Sequence, residues 1–234
     1  MNDVDLDAPR TVWEIFATAF ATYRSLPLLF LSLSAILEVP LLVLAYVLGN
    51  SRHGTSATAA LIVFIVQFVL VNPTLAVLQV QAVSVIGERR RPTFGLVLRM
   101  ALPVLPVAIA AEIIAGIGIV AGLFFFVIPG VYLLVRWAAV AQTAAVEHTD
   151  WPTALSRSMQ LTRGQSWRVF GVLLIGGLLN EIPTQVANAG NGTGQAVLSI
   201  VLLVLVTPLV TLMASYLYFD LRAREANAPW GTVA

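Results

Sequence analysis

The chain has no cysteine, no lysine and few charges of either sign. The missing cysteines exclude disulfides, thiolate metal centres and cysteine nucleophiles. Charged residues are 11% of the 234 residues and hydrophobic ones 59%, whereas soluble domains are about one quarter charged. So little polar surface cannot cover a globule in water, and lipid is the expected solvent. A net charge of +1 offers nucleic acid no electrostatic footprint. No G-x-S-x-G elbow, P-loop or dinucleotide fingerprint is present. The two histidines, His53 and His148, lack metal-ligand spacing. No catalytic residue, metal or cofactor is expected. The start, MNDVDLDAPR, is acidic, whereas a secretory signal needs a positive start and a short apolar core. The first apolar run is therefore expected to stay in the mature protein. Arginine as the sole strong base, with high Ala, Val and Leu, is compositionally that of a GC-rich bacterial genome.

What is abundant is long apolar runs. A membrane-crossing helix needs about 20 apolar residues. Leu26 to Gly49 is one span, with a single charge at Glu38, and Ala57 to Gly87 is a second without any. Met100 to Val146 is long enough for two crossings, and Gly116, Gly118 and Gly122 are expected to supply the turn between them. Val169 to Phe219 is divided by the polar segment Asn188–Gly194. These make six transmembrane helices. Arg10, Arg24, Arg89, Arg90, Arg91, Arg99, Arg157, Arg163, Arg168, Arg222 and Arg224 fall in one alternate set of flanks, and Arg52 alone in the other. The positive-inside rule then puts both termini in the cytoplasm of a multi-pass cell-membrane protein.

The chain also repeats itself. Arg24, Arg99 and Arg168 precede Glu38, Glu112 and Glu181 by thirteen or fourteen residues. The even-numbered spans each carry Val-x-Pro, at Pro73, Pro129 and Pro208. The expectation is an all-α membrane protein in one domain over residues 1–234. It comprises three repeated helical hairpins, at about 10–88, 89–147 and 150–225, each led by a cytoplasmic interfacial amphipathic helix. In the first such helix, Thr11 and Glu14 form a capping-box pattern. Val12, Trp13, Ile15, Phe16, Ala19, Phe20 and Tyr23 share its apolar face, with Glu14, Thr18 and Thr22 opposite. Asp150 to Arg163 repeats the design, with Asp150 as cap and Gly164 as terminator.

A charge in hydrocarbon costs about 3 kcal/mol on insertion scales, so Glu38, Glu112, Glu181 and Arg136 need a reason. One reading is a midplane polar cluster that binds a headgroup, ion or proton, extended by Gln67, Asn72, Gln79, Gln142 and Asn180. The other is structural: Arg136 pairs with Glu112 of its own hairpin, and the remaining carboxyls are neutral or hydrogen-bonded. Pro73, Pro129 and Pro208 are expected to kink their helices, for a cavity or for packing.

Several words resemble a known family: Ile128-Pro129-Gly130-Val131-Tyr132 through Arg136-Trp137, then Ala154-Leu155-Ser156-Arg157-Ser158, Leu161-Thr162-Arg163-Gly164, Trp167-Arg168-Val169-Phe170-Gly171 and Tyr218-Phe219-Asp220-Leu221-Arg222. Together they are similar to the membrane-domain family named after glycerophosphoryl diester phosphodiesterases, which includes the YciC-like integral membrane proteins. Some members carry a fused soluble phosphodiesterase domain, for which this chain has no room, so the resemblance implies the membrane domain without the enzyme. Arg136, Arg163 and Asp220 match the family pattern but inherit no catalytic role from it. A structural role for Asp220 and Arg222, binding the linking helix of another repeat, is the expectation. Three functions remain open: a non-enzymatic module that binds or moves lipid or another amphiphile, a scaffold for a protein partner on the cytoplasmic face (Arg89, Arg90, Arg91, Arg163, Asp220, Arg222), and a secondary transporter.

Overall fold

The computed structural model describes residues 5–49, 57–190 and 193–227, so Arg52, His53, Asn191 and Gly192 lie outside the described residues. Helices make up nearly all of the described chain, with no β-strand among those residues. In order they are α1 (Val12–Ser25), α2 (Pro27–Gly49), α3 (Ala57–Val66), a π-helical turn (Gln67–Val71), α4 (Asn72–Gly87), α5 (Phe94–Ala101), α6 (Leu105–Phe125), α7 (Val127–Arg136), α8 (Val140–Glu147), α9 (Trp151–Leu161), α10 (Ser166–Asn188) and α11 (Thr193–Ala226). Six stretches are long and apolar enough to cross a membrane: Pro27–Ala45, Ala57–Gly87, Leu105–Phe125, Val127–Glu147, Ser166–Asn188 and Val197–Ala226. The chain is an integral membrane protein by length and hydropathy.

The turn between the third and fourth spans lies elsewhere than the glycines suggest. α6 runs unbroken through Gly116, Gly118 and Gly122, and the chain reverses at Phe126, which is extended at φ −155° and ψ 135°. In hydrocarbon a broken helix has no water to solvate its backbone, which keeps glycine helical there. The glycines instead admit neighbours. A Cβ on Gly122 would stand 3.0 Å from the Gly130 Cα, and one on Gly118 would be 2.5 Å from the Trp137 ring. Pro129 is corrected with them. It falls in the first turn of α7, where its missing N–H is one the helix would not use, so it starts a helix rather than kinking one. Pro73 likewise lies in the first turn of α4, directly after the π-helical turn, while Pro208 is inside α11.

The capping box of α1 forms as the spacing predicts. The Thr11 N–H donates to Glu14 Oε2 at 2.6 Å, and the Glu14 N–H donates to Thr11 Oγ1 at 3.2 Å. The bond from the Thr11 backbone holds the Glu14 carboxyl below its usual range. The buried stripe is Ile15, Ala19 and Thr22. Thr22 thus moves from the expected outer face to the inner one, because its hydroxyl meets the Tyr216 hydroxyl at 2.7 Å. Trp13 and Phe20 are exposed, with Phe16 stacked between them. Asp150 occupies the N-cap position of α9 without a side-chain capping bond, and Gly164 follows that helix at φ +75°.

Packing is lopsided along the spans. The main buried cluster gathers residues such as Phe30, Val83, Ala108, Val140, Ala154 and Tyr216, toward the end that carries both termini. At the opposite end each hairpin packs chiefly on itself: α3 on α2, α6 on α7 and α10 on α11. α3 has no buried residue. The tip Phe124-Phe125-Phe126-Val127-Ile128 is 69–84% exposed, and no polar side chain occurs between Glu112 and Tyr132. A cysteine at Phe126 in this cysteine-free chain is expected to resist a membrane-impermeant maleimide and to react with a membrane-soluble one. Equal reaction with both would place the tip in water.

Candidate functional site

The densest polar constellation lies at the terminal end, around Asp220. Its carboxylate is fully buried, and a buried charge persists only when paired and hydrogen-bonded. Oδ1 accepts the backbone N–H of Arg10 at 2.5 Å. Arg224, one helical turn onward, donates from Nε to both oxygens at 3.2 and 3.1 Å. Arg168, at the start of α10, stands 3.8 Å away. Arg168 and Arg224 also donate to the Arg10 carbonyl, the latter at 2.8 Å. Both backbone groups of residue 10 are therefore held, and the Arg10 guanidinium lies 5.7 Å from the Tyr216 ring centre. The segment entering α1 is clamped to α10 and α11.

A second group lies nearby on the same helix. Arg157 of α9 bonds Glu147 of α8 at 3.0 Å and Glu225 of α11 through two contacts of 2.5 Å. Tyr218 donates its hydroxyl to Glu147 at 3.1 Å. The Glu225 contact, above all, raises the Arg157 pKa and keeps it charged. The last turns of α11 thus tie α1, α8, α9 and α10 together.

Each of the four intramembrane charges has its own immediate surroundings. Glu38 is 1% exposed; its Oε1 accepts from Gln67 Nε2 at 3.1 Å, and the same amide donates to Asn72 Oδ1 at 2.9 Å. Glu112 lies against the backbone N–H of Ala141. Arg136 is buried 5.8 Å from the Tyr132 ring centre and makes no ion pair among the described residues, so the expected Arg136–Glu112 pair is absent there. Glu181 is on the exposed face of α10 and Asn180 is exposed beside it. Gln79 donates to Ser34 Oγ at 3.5 Å, and Gln142 is buried on α8.

Glu112 and Arg136 do share one feature, the break between α7 and α8 at residues 137–139. A broken span leaves carbonyls and N–H groups that need partners. Ser158 Oγ donates to the Arg136 carbonyl at 3.0 Å and accepts from the Ala139 N–H at 3.3 Å. Thr162 Oγ1 reaches the Arg136 carbonyl at 3.2 Å. Glu112 faces the next free amide, that of Ala141. Two side chains of α9 and one of α6 therefore dress the break.

The remaining arginines are on the surface. Arg89 has φ 59°, Arg90 meets Glu88 at 3.3 Å, and Arg91 and Arg163 are exposed. Arg89 and Arg222 line an open cavity of about 390 Å³ with Asp5, Asp7, Ser84 and Phe219. Glu88 is a third acid on its wall, so acids outnumber bases there, and no group of three metal-ligating side chains occurs among the described residues. Asp220, Arg157 and Arg168 all stand in sequence words singled out from the chain alone. Arg10, Arg224 and the bridging role of Ser158 had no local signal.

No protein-family model, curated protein or solved structure matches the chain.

Removing one partner of a buried charge cluster costs about 3–5 kcal/mol. Asp220→Ala is expected to lower the unfolding temperature and to speed amide exchange across α1, measured by hydrogen–deuterium exchange. Unchanged exchange in residues 12–25 would mean that Asp220 does not hold α1. Ser158→Ala leaves a buried carbonyl and N–H short of partners and is expected to cost about 1–3 kcal/mol, read as faster exchange at residues 137–142.

Proposed function

We propose that this protein is a non-enzymatic membrane module that binds or moves lipid or another amphiphile. The observation that carries this reading is the lopsided packing. One end is a clamped, arginine-bearing core, while the other opens into apolar hairpins with exposed carbon on most faces. Such a body presents basic groups at one depth and hydrocarbon-lined space at another, which matches an amphiphile's two parts.

The proposed architecture has three repeated units. The order short helix, odd span, even span recurs as α1–α2–α3/α4, α5–α6–α7/α8 and α9–α10–α11, and the arginine–glutamate spacing supports it. By the positive-inside rule the arginine end is cytoplasmic, in the cell membrane. The resemblance to a membrane-domain family is in keeping with the same assignment. A scaffold role for a partner enzyme or transporter is the second reading, favoured by the exposed run Arg89–Arg91. A secondary transporter is the third, favoured by the break in span four, since discontinuous helices build many transporter sites.

The test is binding of labelled phospholipids to the purified protein in vesicles, across headgroup types. Saturable binding with preference for an anionic headgroup is the expected result. Each arginine near the surface contributes about 1 kcal/mol to such attraction. Replacing Arg89, Arg90 and Arg91 together by glutamine is therefore expected to weaken the preference strongly. No saturable binding and no lipid movement above that of protein-free vesicles would sink the reading.

A further inference from the structure

The π-helical turn at Gln67–Val71 interrupts the second span. Pro73 has no N–H to give the carbonyl four residues back, so a regular helix leaves an unmatched group inside hydrocarbon. One wide turn directly precedes Pro73, closed by the Asn72 N–H on the Gln67 carbonyl. Such wide turns are uncommon and concentrate at functional sites. Beyond it α3 leans on α2 rather than on α6 and buries nothing.

α4 and the π-turn still pack against α6. Phe68 lies over Gly116, where a Cβ would come 2.3 Å from its ring. Gly116 is therefore the seat that lets the ring tuck against α6. On the far side of this contact a groove of about 470 Å³ opens between the π-turn and α6, within the size range of small-molecule sites. Its walls are Phe68, Val69, Ile117, Val120, Ala121 and Phe124, all carbon-bearing side chains. The groove faces sideways from two membrane spans, so its surroundings are hydrocarbon.

We propose that this groove is an acyl-chain site, which takes the tail of one membrane phospholipid between the π-turn and α6. The choice of occupant follows from place and chemistry. A polar ligand finds no donor or acceptor on these walls, and water in such a space would forfeit its hydrogen bonds. An acyl chain fills it by dispersion and leaves its headgroup free to reach the interface. The aromatic tip, Phe124 and Phe125, closes the outer end. The site rests on the lipid-binding reading only in that both take a lipid as ligand.

The test uses phosphatidylcholine vesicles doped with a phospholipid that carries a diazirine in its acyl chain. After illumination, labelled peptides are mapped by mass spectrometry. Residues 66–72 and 113–125 are expected to label several-fold more than the lipid-exposed stretch 174–182 of α10. Ala121→Trp fills the groove from an exposed position and is expected to reduce that excess several-fold. Leu178→Trp, equally exposed but on α10, is expected to leave it intact. Labelling spread evenly over α6, α10 and α11 would overturn the site, as would an excess that Ala121→Trp does not change. Cross-linking of the groove peptides to a second copy of the chain would also overturn it, making the face an interface between copies. With Arg89, Arg90 and Arg91 replaced by glutamine the groove labelling is expected to persist. If headgroup-selective binding fails while groove labelling holds, the proposed function falls and the site stands.

Discussion

A backbone N–H or carbonyl inside hydrocarbon has no water to turn to, and each unpaired one costs several kcal/mol. Much of this structure is a set of answers to that constraint. Where the chain is regular, helix hydrogen bonds suffice, and six long apolar helices follow. Where it is irregular, a partner is brought in. The break at residues 137–139 is met by Ser158 and Thr162, with Glu112 against the Ala141 amide. Pro129 is placed where its missing N–H is not needed. The same rule explains why Gly116, Gly118 and Gly122 remain helical: a turn there would bare several groups at once.

The charged residues answer a second constraint, that of joining spans which share little contact at one end. Asp220 concentrates this at the other. Its buried carboxylate is stable only with Arg224, Arg168 and the Arg10 amide around it, so the start of α1, the start of α10 and the end of α11 must meet. Glu147, Arg157 and Glu225 add α8 and α9 to the same region. The core lies there, and the groove beside Phe68 lies in the more loosely packed half. A firm end and an open end are two sides of one distribution of contacts.

Parts of this were legible before any coordinates. Ala57 to Gly87 has the same bounds as a hydrophobic run and as a candidate span, because hydropathy integrates over a stretch and tolerates a defect inside it. For the same reason the π-turn within that run left no mark on it. The Thr11–Glu14 capping box was legible because it is a contact between neighbours in sequence. Thr22 was misplaced because its polarity spoke for solvent, while its actual partner, Tyr216, is 194 residues away. The glycines of α6 misled for a related reason. Glycine permits a turn but does not demand one, and the packing of Gly130 and Trp137 decided otherwise.

The sequence by itself determined the solvent, the six spans, the alternation of arginines and the absence of thiol chemistry. These are sums or local patterns, to which each residue contributes wherever the chain takes it. Only the tertiary structure decided that Ser158 bridges a broken span and that Asp220 holds a backbone group 210 residues away. A hydrogen bond needs a partner within about 3 Å, and which distant residues come that close depends on how the spans pack.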